Sequence, residues 1–251
     1  MMTHLKIDNI TKKFLVKKQQ NKIVLDGINL NVKSGSIFGL VGLNGIGKTT
    51  LIKIIFDMLK PTSGNVEIFG VNHLSTKSRQ KVGYLPEKFS PSQYLTGYEF
   101  LKISLSFFNI IFDDKVKSKA DQIAEMLDLN KDALQQVIGK YSKGMGQKLG
   151  LLSCFLSNAK LLVLDEPMSG LDPKSRIALK NVLKDYVKKG NSVFFSSHIL
   201  EDVEEICDDM AVLHNGKIIF NGSPDEFLTQ YRNNNDNHNT MEKAFLKCIS
   251  L

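Results

Sequence analysis

The hydrophobic pattern changes period as the chain proceeds. Leu5-Lys-Ile-Asp-Asn-Ile10 alternates apolar with polar, the period-two signal of a half-buried strand, and Ile28-Asn-Leu-Asn-Val32 and Asn65-Val-Glu-Ile-Phe69 repeat it. The lysine-rich stretch 12–22, which contains Phe14, predicts a loop or exposed hairpin. Ser36-Ile-Phe-Gly-Leu-Val41 is a short apolar run of strand character. A helix is predicted from Lys48 through Leu51-Ile-Lys-Ile-Ile-Phe56, ending before the turn Pro61-Thr-Ser-Gly64. Val82-Gly-Tyr-Leu85 predicts a strand that stops at Pro86.

From there to Leu156 the spacing becomes helical. Residues 97–112, 117–129 and 146–156 carry apolar positions three and four apart, and strand signals are scarce. This reads as a helical insertion in an α/β core. Leu161-Leu-Val-Leu164 is apolar at every position, which fits a central parallel strand covered on both faces. A helix with Leu179, Leu183, Tyr186 and Val187 on one face follows, then a strand over 191–196 and a short acid-rich helix over 199–207. Met210–Leu213 and Lys217–Phe220 flank His214-Asn-Gly216, a hairpin signal. Helices are predicted over 225–231 and 241–251, with a polar, asparagine-rich and mobile segment at 233–239 between them. No internal repeat is present.

Composition narrows the class. At 251 residues, 42% hydrophobic and 24% charged, the chain is globular and long enough for a substantial core. Its net charge of +7 reads as a lysine-rich solvated surface, or as a surface for nucleic acid or an anionic membrane. Basic residues outside 12–22 are scattered, so nucleic acid is not the expected partner. Cys154, Cys207 and Cys248 lie far apart, without metal spacing, as in a reducing cytosol. The most apolar stretch, 100–112, is interrupted by Lys102, Ser104, Ser106 and Asn109 and falls short of the ~20 residues a membrane span needs. The first residues lack a signal-peptide core, so the chain is expected to stay in the cytoplasm.

Candidate chemistry begins at Gly42-Leu-Asn-Gly-Ile-Gly-Lys-Thr-Thr50, which matches G-x-x-x-x-G-K-[ST] between a predicted strand and a predicted helix. Glycines let backbone N–H groups converge on phosphate oxygens, Lys48 reaches the β- and γ-phosphates, and Thr49 offers a hydroxyl to Mg²⁺. The helix start adds unpaired N–H groups. Downstream, Asp165 and Glu166 close the buried strand. A carboxylate there can hold Mg²⁺, and its neighbour can order or deprotonate a water. The other reading is an acidic cap before Pro167. His198 ends a further core strand, where it serves either the γ-phosphate or structure. Ser142 and Gly144, in Tyr141-Ser-Lys-Gly-Met145, form either an anion site or an ordinary helix cap.

Together with Ser169-Gly-Leu-Asp-Pro173 and Ser197-His198, these motifs occur in the order found in nucleotide-binding subunits of ATP-binding cassette (ABC) transporters, and the chain resembles that family over essentially its whole length. The resemblance implies an α/β fold: a RecA-like P-loop NTPase core with an antiparallel β subdomain and a helical subdomain. The cassette is expected over 1–222, with core and β subdomain in 1–87 and 159–222, the helical subdomain in 88–158, and a C-terminal helix and tail in 223–251. It further implies ATP and Mg²⁺ as ligands. Phe14 matches the aromatic that stacks on adenine. Gly42, Leu43, Asn44, Gly45, Ile46, Gly47, Lys48, Thr49 and Thr50 match the phosphate loop, and Asp165 the Mg²⁺ carboxylate. Glu166 matches the water-polarising base and His198 the switch histidine. Asp172 matches an acid that bridges two cassettes, and Ser142 and Gly144 match the signature that contacts the γ-phosphate held by the opposite one.

Two positions depart from the family pattern. Glu87 stands where a glutamine that contacts Mg²⁺ or water is usual. Lys143 and Met145 replace a glycine and the glutamine of Leu-Ser-Gly-Gly-Gln. Both substitutions, and the tail 222–246, are similar to export-type cassettes. The expectation is an ATPase subunit peripheral on the cytoplasmic face of the membrane. Its implied partners are a separate transmembrane permease and a second copy or paralogous cassette. The alternatives are a cassette ATPase acting on ribosomes or DNA, and a regulatory module that holds ATP without turnover.

Overall fold

A computed structural model describes residues 2–16, 20–231 and 240–250. In chain order the strands and helices are β1 (Thr3–Val16), β2 (Gln20–Lys33), β3 (Ile37–Val41), α1 (Lys48–Ile55), β4 (Ser63–Ile68), β5 (Val71–Asn72), β6 (Val82–Leu85), α2 (Gly97–Ser106) and α3 (Asp114–Met126). There follow α4 (Lys143–Leu156), β7 (Leu161–Asp165), α5 (Pro173–Lys188), β8 (Ser192–Ser197), α6 (Leu200–Ile206), β9 (Asp209–His214), β10 (Lys217–Gly222), α7 (Pro224–Gln230) and α8 (Met241–Ile249).

Two sheets organise these elements. One is antiparallel, in the order β2-β1-β4-β5; the other runs β10-β9-β3-β8-β7-β6. In the second sheet β9, β3, β8, β7 and β6 are parallel, and β10 pairs antiparallel with β9 at the edge. The parallel strands therefore all point their carboxyl ends the same way, and the loops after β3, β6, β7 and β8 gather at one edge of the sheet.

Both faces of the parallel sheet are covered. Leu161, Val163, Phe38 and Phe194 face a core shared with the antiparallel sheet and with Leu51 and Ile52 of α1. Leu162, Leu164, Val193 and Phe195 face a second core built with Leu149, Leu152, Leu179 and Val203 of the helices. This two-sided burial is why β7 and β8 show no alternation in the sequence.

The structure moves several predicted boundaries. β1 and β2 are each 14 residues long and pair directly, so of the two readings of the lysine-rich stretch the hairpin is the one found, with strands longer than the alternation predicts. The register shifts after Ile7 and again after Ile10, around Asn9 at φ +50°. These irregularities hide the continuous strand from a period-two reading. The helix expected over 97–112 stops at Ser106: the N–H groups of Phe108 and Ile110 both return to Leu105 O, and Asn109 takes a left-handed φ of 56°. The helix expected from Lys117 starts at Asp114, where Asp113 Oδ1 accepts from Val116 N. The helix expected from Gly146 starts at Lys143, capped by Ser142. The polar segment expected at 233–239 lies outside the described residues.

Candidate active site

The loop between β3 and α1 sets the site. Gly47 sits at φ +125°, and a Cβ there would meet Val24 Cγ1 at 3.1 Å, so only glycine lets the chain turn into α1 beneath the β1–β2 hairpin. Gly47, as N-cap, offers no side chain to the first N–H groups of α1, which are left without a capping partner. The resulting hollow, of about 290 Å³, is lined by Leu43, Asn44, Gly45, Gly47, Lys48, Thr49 and Thr50 of this loop, and by Glu87 and Glu166 from the loops after β6 and β7.

Lys48 is 6% exposed. Its Nζ donates to Gly42 O at 2.6 Å and lies 3.1 Å from Glu166 Oε1, a contact of charges rather than an aligned hydrogen bond. The other carboxylate oxygen, Glu166 Oε2, is 2.8 Å from His198 Nδ1. Glu166 follows the last residue of β7 with a left-handed φ of 50°, unusual for a side chain of its size. That turn swings its carboxylate away from the strand line and into the hollow.

A serine that sequence reasoning missed fixes this corner. Ser196 pairs in register with Asp165 across β7 and β8. Its hydroxyl donates to Asp165 Oδ1 at 2.5 Å and accepts from Glu166 N at 3.0 Å, so one side chain orients both acids. No local sequence signal marks it, since the link depends on strand register. Asp165 is fully buried, its Oδ2 has no hydrogen-bond partner, and it does not itself line the hollow. Burial first, and then the charge of Asp165, push the phenol of Tyr84 up to about 12.

Thr49, Glu87 and the unpartnered Oδ2 of Asp165 supply oxygen donors, which suit Mg²⁺ held by few protein ligands together with phosphate and water. Among the described residues no cluster of three or more His, Cys, Asp or Glu could hold a metal alone.

The remaining predicted residues fall in three places. Ser142 caps α4, accepting from Met145 N at 3.2 Å, and lines a neighbouring hollow of about 410 Å³ with Lys143 and Ser169. Glu87 lines both hollows and so joins them. Gly144 packs on the loop after β7: a Cβ there would stand 3.0 Å from Gly170 O. Gln147, also missed from the sequence, ties the same helix to this loop through Nε2 donating to Pro167 O at 3.2 Å. Asp172 caps α5, accepting from Ser175 Oγ at 2.6 Å and Ser175 N at 3.0 Å, and these two bonds hold its carboxyl down at about 2. Phe14 stands apart from both hollows, on the hairpin, with its ring 37% exposed and Lys12 Nζ 4.9 Å from its centre.

Known proteins resemble this chain in sequence and in fold. The family model described as ABC transporter matches residues 25–169, more than half of the chain. An uncharacterized ABC transporter ATP-binding protein of Nostoc sp. is 38% identical over 213 residues, covering 83% of this chain and 62% of its own length. The bacitracin transport ATP-binding protein BcrA of Bacillus licheniformis is 35% identical over 222 residues, covering 87% of this chain and 69% of its own. This chain thus spans about three fifths of the Nostoc relative. A solved structure described as the ATP binding subunit of an ABC transporter superposes over 99% of both chains, with a TM-score of 0.85 at 26% identity. A P-loop beside a carboxylate–histidine corner, the fold and these matches agree: the chain belongs to the ABC transporter family.

Proposed function

We propose that this chain binds and hydrolyses ATP as the ATP-binding subunit of an ABC transporter, acting as a pair of cassettes on a separate transmembrane permease at the cytoplasmic face of the membrane. The observation that carries the reading is the continuous chain Lys48–Glu166–His198 at the mouth of the P-loop hollow.

The residues divide the work as follows. N–H groups of 43–50 and the ammonium of Lys48 receive the phosphates. As Lys48 turns to them it releases Glu166 Oε1, which then accepts a proton from the attacking water. His198 keeps Oε2 and so holds the carboxylate in place. Ser196 fixes the backbone of Glu166 and the carboxylate of Asp165 together. Thr49, Asp165 and Glu87 would hold Mg²⁺, which neutralises charge on the phosphates. Phe14, on the hairpin that overlies the loop, packs on adenine.

The placement of the signature segment outside the P-loop hollow supports the pairing. Ser142 lines the second hollow, and neither Ser142 nor Gly144 lines the hollow of the P-loop, which has no contribution from the signature segment of its own chain. A second copy, or a paralogue, brings that segment to the γ-phosphate, with Asp172 bridging the two. The form of Ser142-Lys-Gly-Met145 supports export, and the name of the Bacillus relative supports transport. Among the described residues no helix is long and apolar enough to cross a membrane, so the spanning part is assigned to another chain or segment.

Phosphate release by the purified protein with Mg²⁺ and ATP tests the reading. Turnover that falls by about 10²-fold or more in Glu166→Gln supports it. Nucleotide binding without turnover in the wild type, in the presence of its permease, refutes it.

A further inference from the structure

The start of α4 and the loop after β7 are fitted to each other at a single glycine. Gly170 takes a left-handed φ of 77°. A Cβ there would stand 3.2 Å from Cε, 3.3 Å from Cδ and 3.5 Å from Cγ of Lys143. Three successive carbons of the lysine stem therefore run along the bare face of this glycine, and a side chain at 170 would lift them off it. Gly144 closes the same seat, since its own Cβ would lie 3.0 Å from Gly170 O. Lys143 is thus laid along the loop that leads to Asp172.

The charge at the end of this stem is not used within the chain. Among the described residues Lys143 Nζ forms no ion pair and no hydrogen bond, whereas Lys148 on the same helix and Lys174 on α5 are both tied to Asp128. Lys143 also takes the first position of α4, where the helix dipole disfavours a cation, and no acid in the first turn offsets it. A cation set against the local rule, on a seat that requires glycine opposite, calls for an anion that the chain alone does not supply.

The two hollows say where that anion comes from. Lys143 lines the second hollow beside Ser142 and Ser169, and it does not line the P-loop hollow. Glu87 lines both, but no ion pair joins it to Lys143 among the described residues. Lys143 therefore has no part in the phosphate site of its own chain, and it sits on the face that the proposed pairing turns toward the opposite one.

We propose that Lys143 is a catalytic cation supplied in trans, its ammonium meeting the γ-phosphate held by the P-loop of the opposite chain. This deepens the ATPase reading above and rests on it. In the reaction the water oxygen bonds to the γ-phosphorus as the bond from that phosphorus to the bridging oxygen breaks. The bonding pair leaves with ADP, and the proton of the water goes to Glu166. Lys143 keeps its proton throughout and neutralises charge on the phosphoryl oxygens, as a cation contributed by a partner does in other phosphoryl transfers. The seat on Gly170 holds the stem extended before the pair forms, so little side-chain freedom is lost at closure.

Phosphate release by the whole chain with Mg²⁺ and ATP, in single variants and in mixtures, tests it. Lys143→Met keeps an unbranched apolar stem on Gly170 and removes the charge. It is expected to lower kcat by about tenfold or more with ATP affinity unchanged, while Lys143→Arg stays within about threefold of wild type. The mixture distinguishes trans from cis. A Lys143→Met chain and a Glu166→Gln chain, each slow alone, together form one site with an intact Glu166 and an intact Lys143 only if the lysine crosses to the opposite chain. Equimolar mixing before ATP is added is therefore expected to give turnover well above the sum of the separate proteins. Full activity of Lys143→Met, an arginine variant no better than the methionine one, or a mixture no more active than its parts would overturn the proposal while leaving the ATPase reading intact. A wild type that releases no phosphate would instead overturn that reading, and this proposal with it.

Discussion

Lys48 Nζ and Glu166 Oε1 lie 3.1 Å apart, with both side chains more than nine-tenths buried. The residue proposed to bind phosphate and the residue proposed to activate water thus hold each other before any nucleotide arrives. In the proposed function, phosphate takes Lys48 from Glu166 and so frees the base. On the proposed reading, the P-loop lysine and the acid after β7 work as one switch.

This pairing predicts the effect of Glu166→Gln on binding as well as on turnover. Without the carboxylate Lys48 is no longer held by a charge, so ATP binds about tenfold more tightly, from the ~1.5 kcal/mol net worth of a contact between charged groups. Equilibrium titration with a fluorescent ATP analogue reads this directly. Weaker binding in the variant would show that the pair does not restrain Lys48.

Lys48→Ala is expected to abolish ATP binding, because the alanine offers no cation and leaves Glu166 without its buried partner. Loss of one member of a buried ion pair costs about 3 kcal/mol or more, although contact of Glu166 with His198 softens this. The same titration and a thermal melt check both effects. Retained ATP affinity would remove the loop from its assigned role.

His198→Ala is expected to lower turnover by roughly 10- to 100-fold while leaving ATP affinity nearly unchanged, a positioning loss within the range of general-base catalysis. His198 touches Glu166 Oε2 at 2.8 Å but is not among the residues that line the P-loop hollow. Steady-state kinetics separate kcat from KM, and an effect on KM alone would contradict this assignment.

Much of this corner was legible in the sequence, and the reasons are local. Glycine spacing with Lys48 and Thr49 marks the loop, and the apolar run ending in Asp165 marks a covered strand whose end faces it. The parts that were not legible depend on register and on turns. Ser196 reaches both acids only because β7 and β8 pair Asp165 with Ser196. Gln147 reaches Pro167, 20 residues on, only through the packing of α4 against the loop after β7. β5 is two residues long, too short for any periodicity, and the short turns over 131–135 and 138–140 carry none either.

Gly144→Ala tests the seat of the Ser142 segment. The added methyl would lie 3.0 Å from Gly170 O, so α4 and the loop after β7 must part slightly. Turnover is expected to fall at least tenfold with ATP binding to the P-loop unchanged. Ser142→Ala removes the cap as well and is expected to cost about 1 kcal/mol of stability, measured by denaturant unfolding.

Asp172 gives a pH signature. Its carboxyl sits at about 2 in the folded protein against an ordinary 3.8, held by Ser175. A depressed carboxyl stabilises the fold fully above about pH 4 and loses that contribution as the pH falls toward 2. Asp172→Asn should therefore lower stability at neutral pH and flatten the acid limb between these values, so that the two proteins converge as the pH approaches 2. Melting temperature measured from pH 2 to 5 in both proteins shows whether it does.

The central claim is that the P-loop hollow is half of a site completed by the Ser142 segment of a second cassette. Light-scattering mass of the 28.1 kDa chain carrying Glu166→Gln, taken with and without ATP and Mg²⁺, tests it most directly. The account predicts a monomer without nucleotide and, with ATP, a species of twice the mass holding two ATP molecules, lost again when Ser142→Ala is added. A chain that binds ATP yet stays monomeric at tens of micromolar, with or without Ser142, would contradict it.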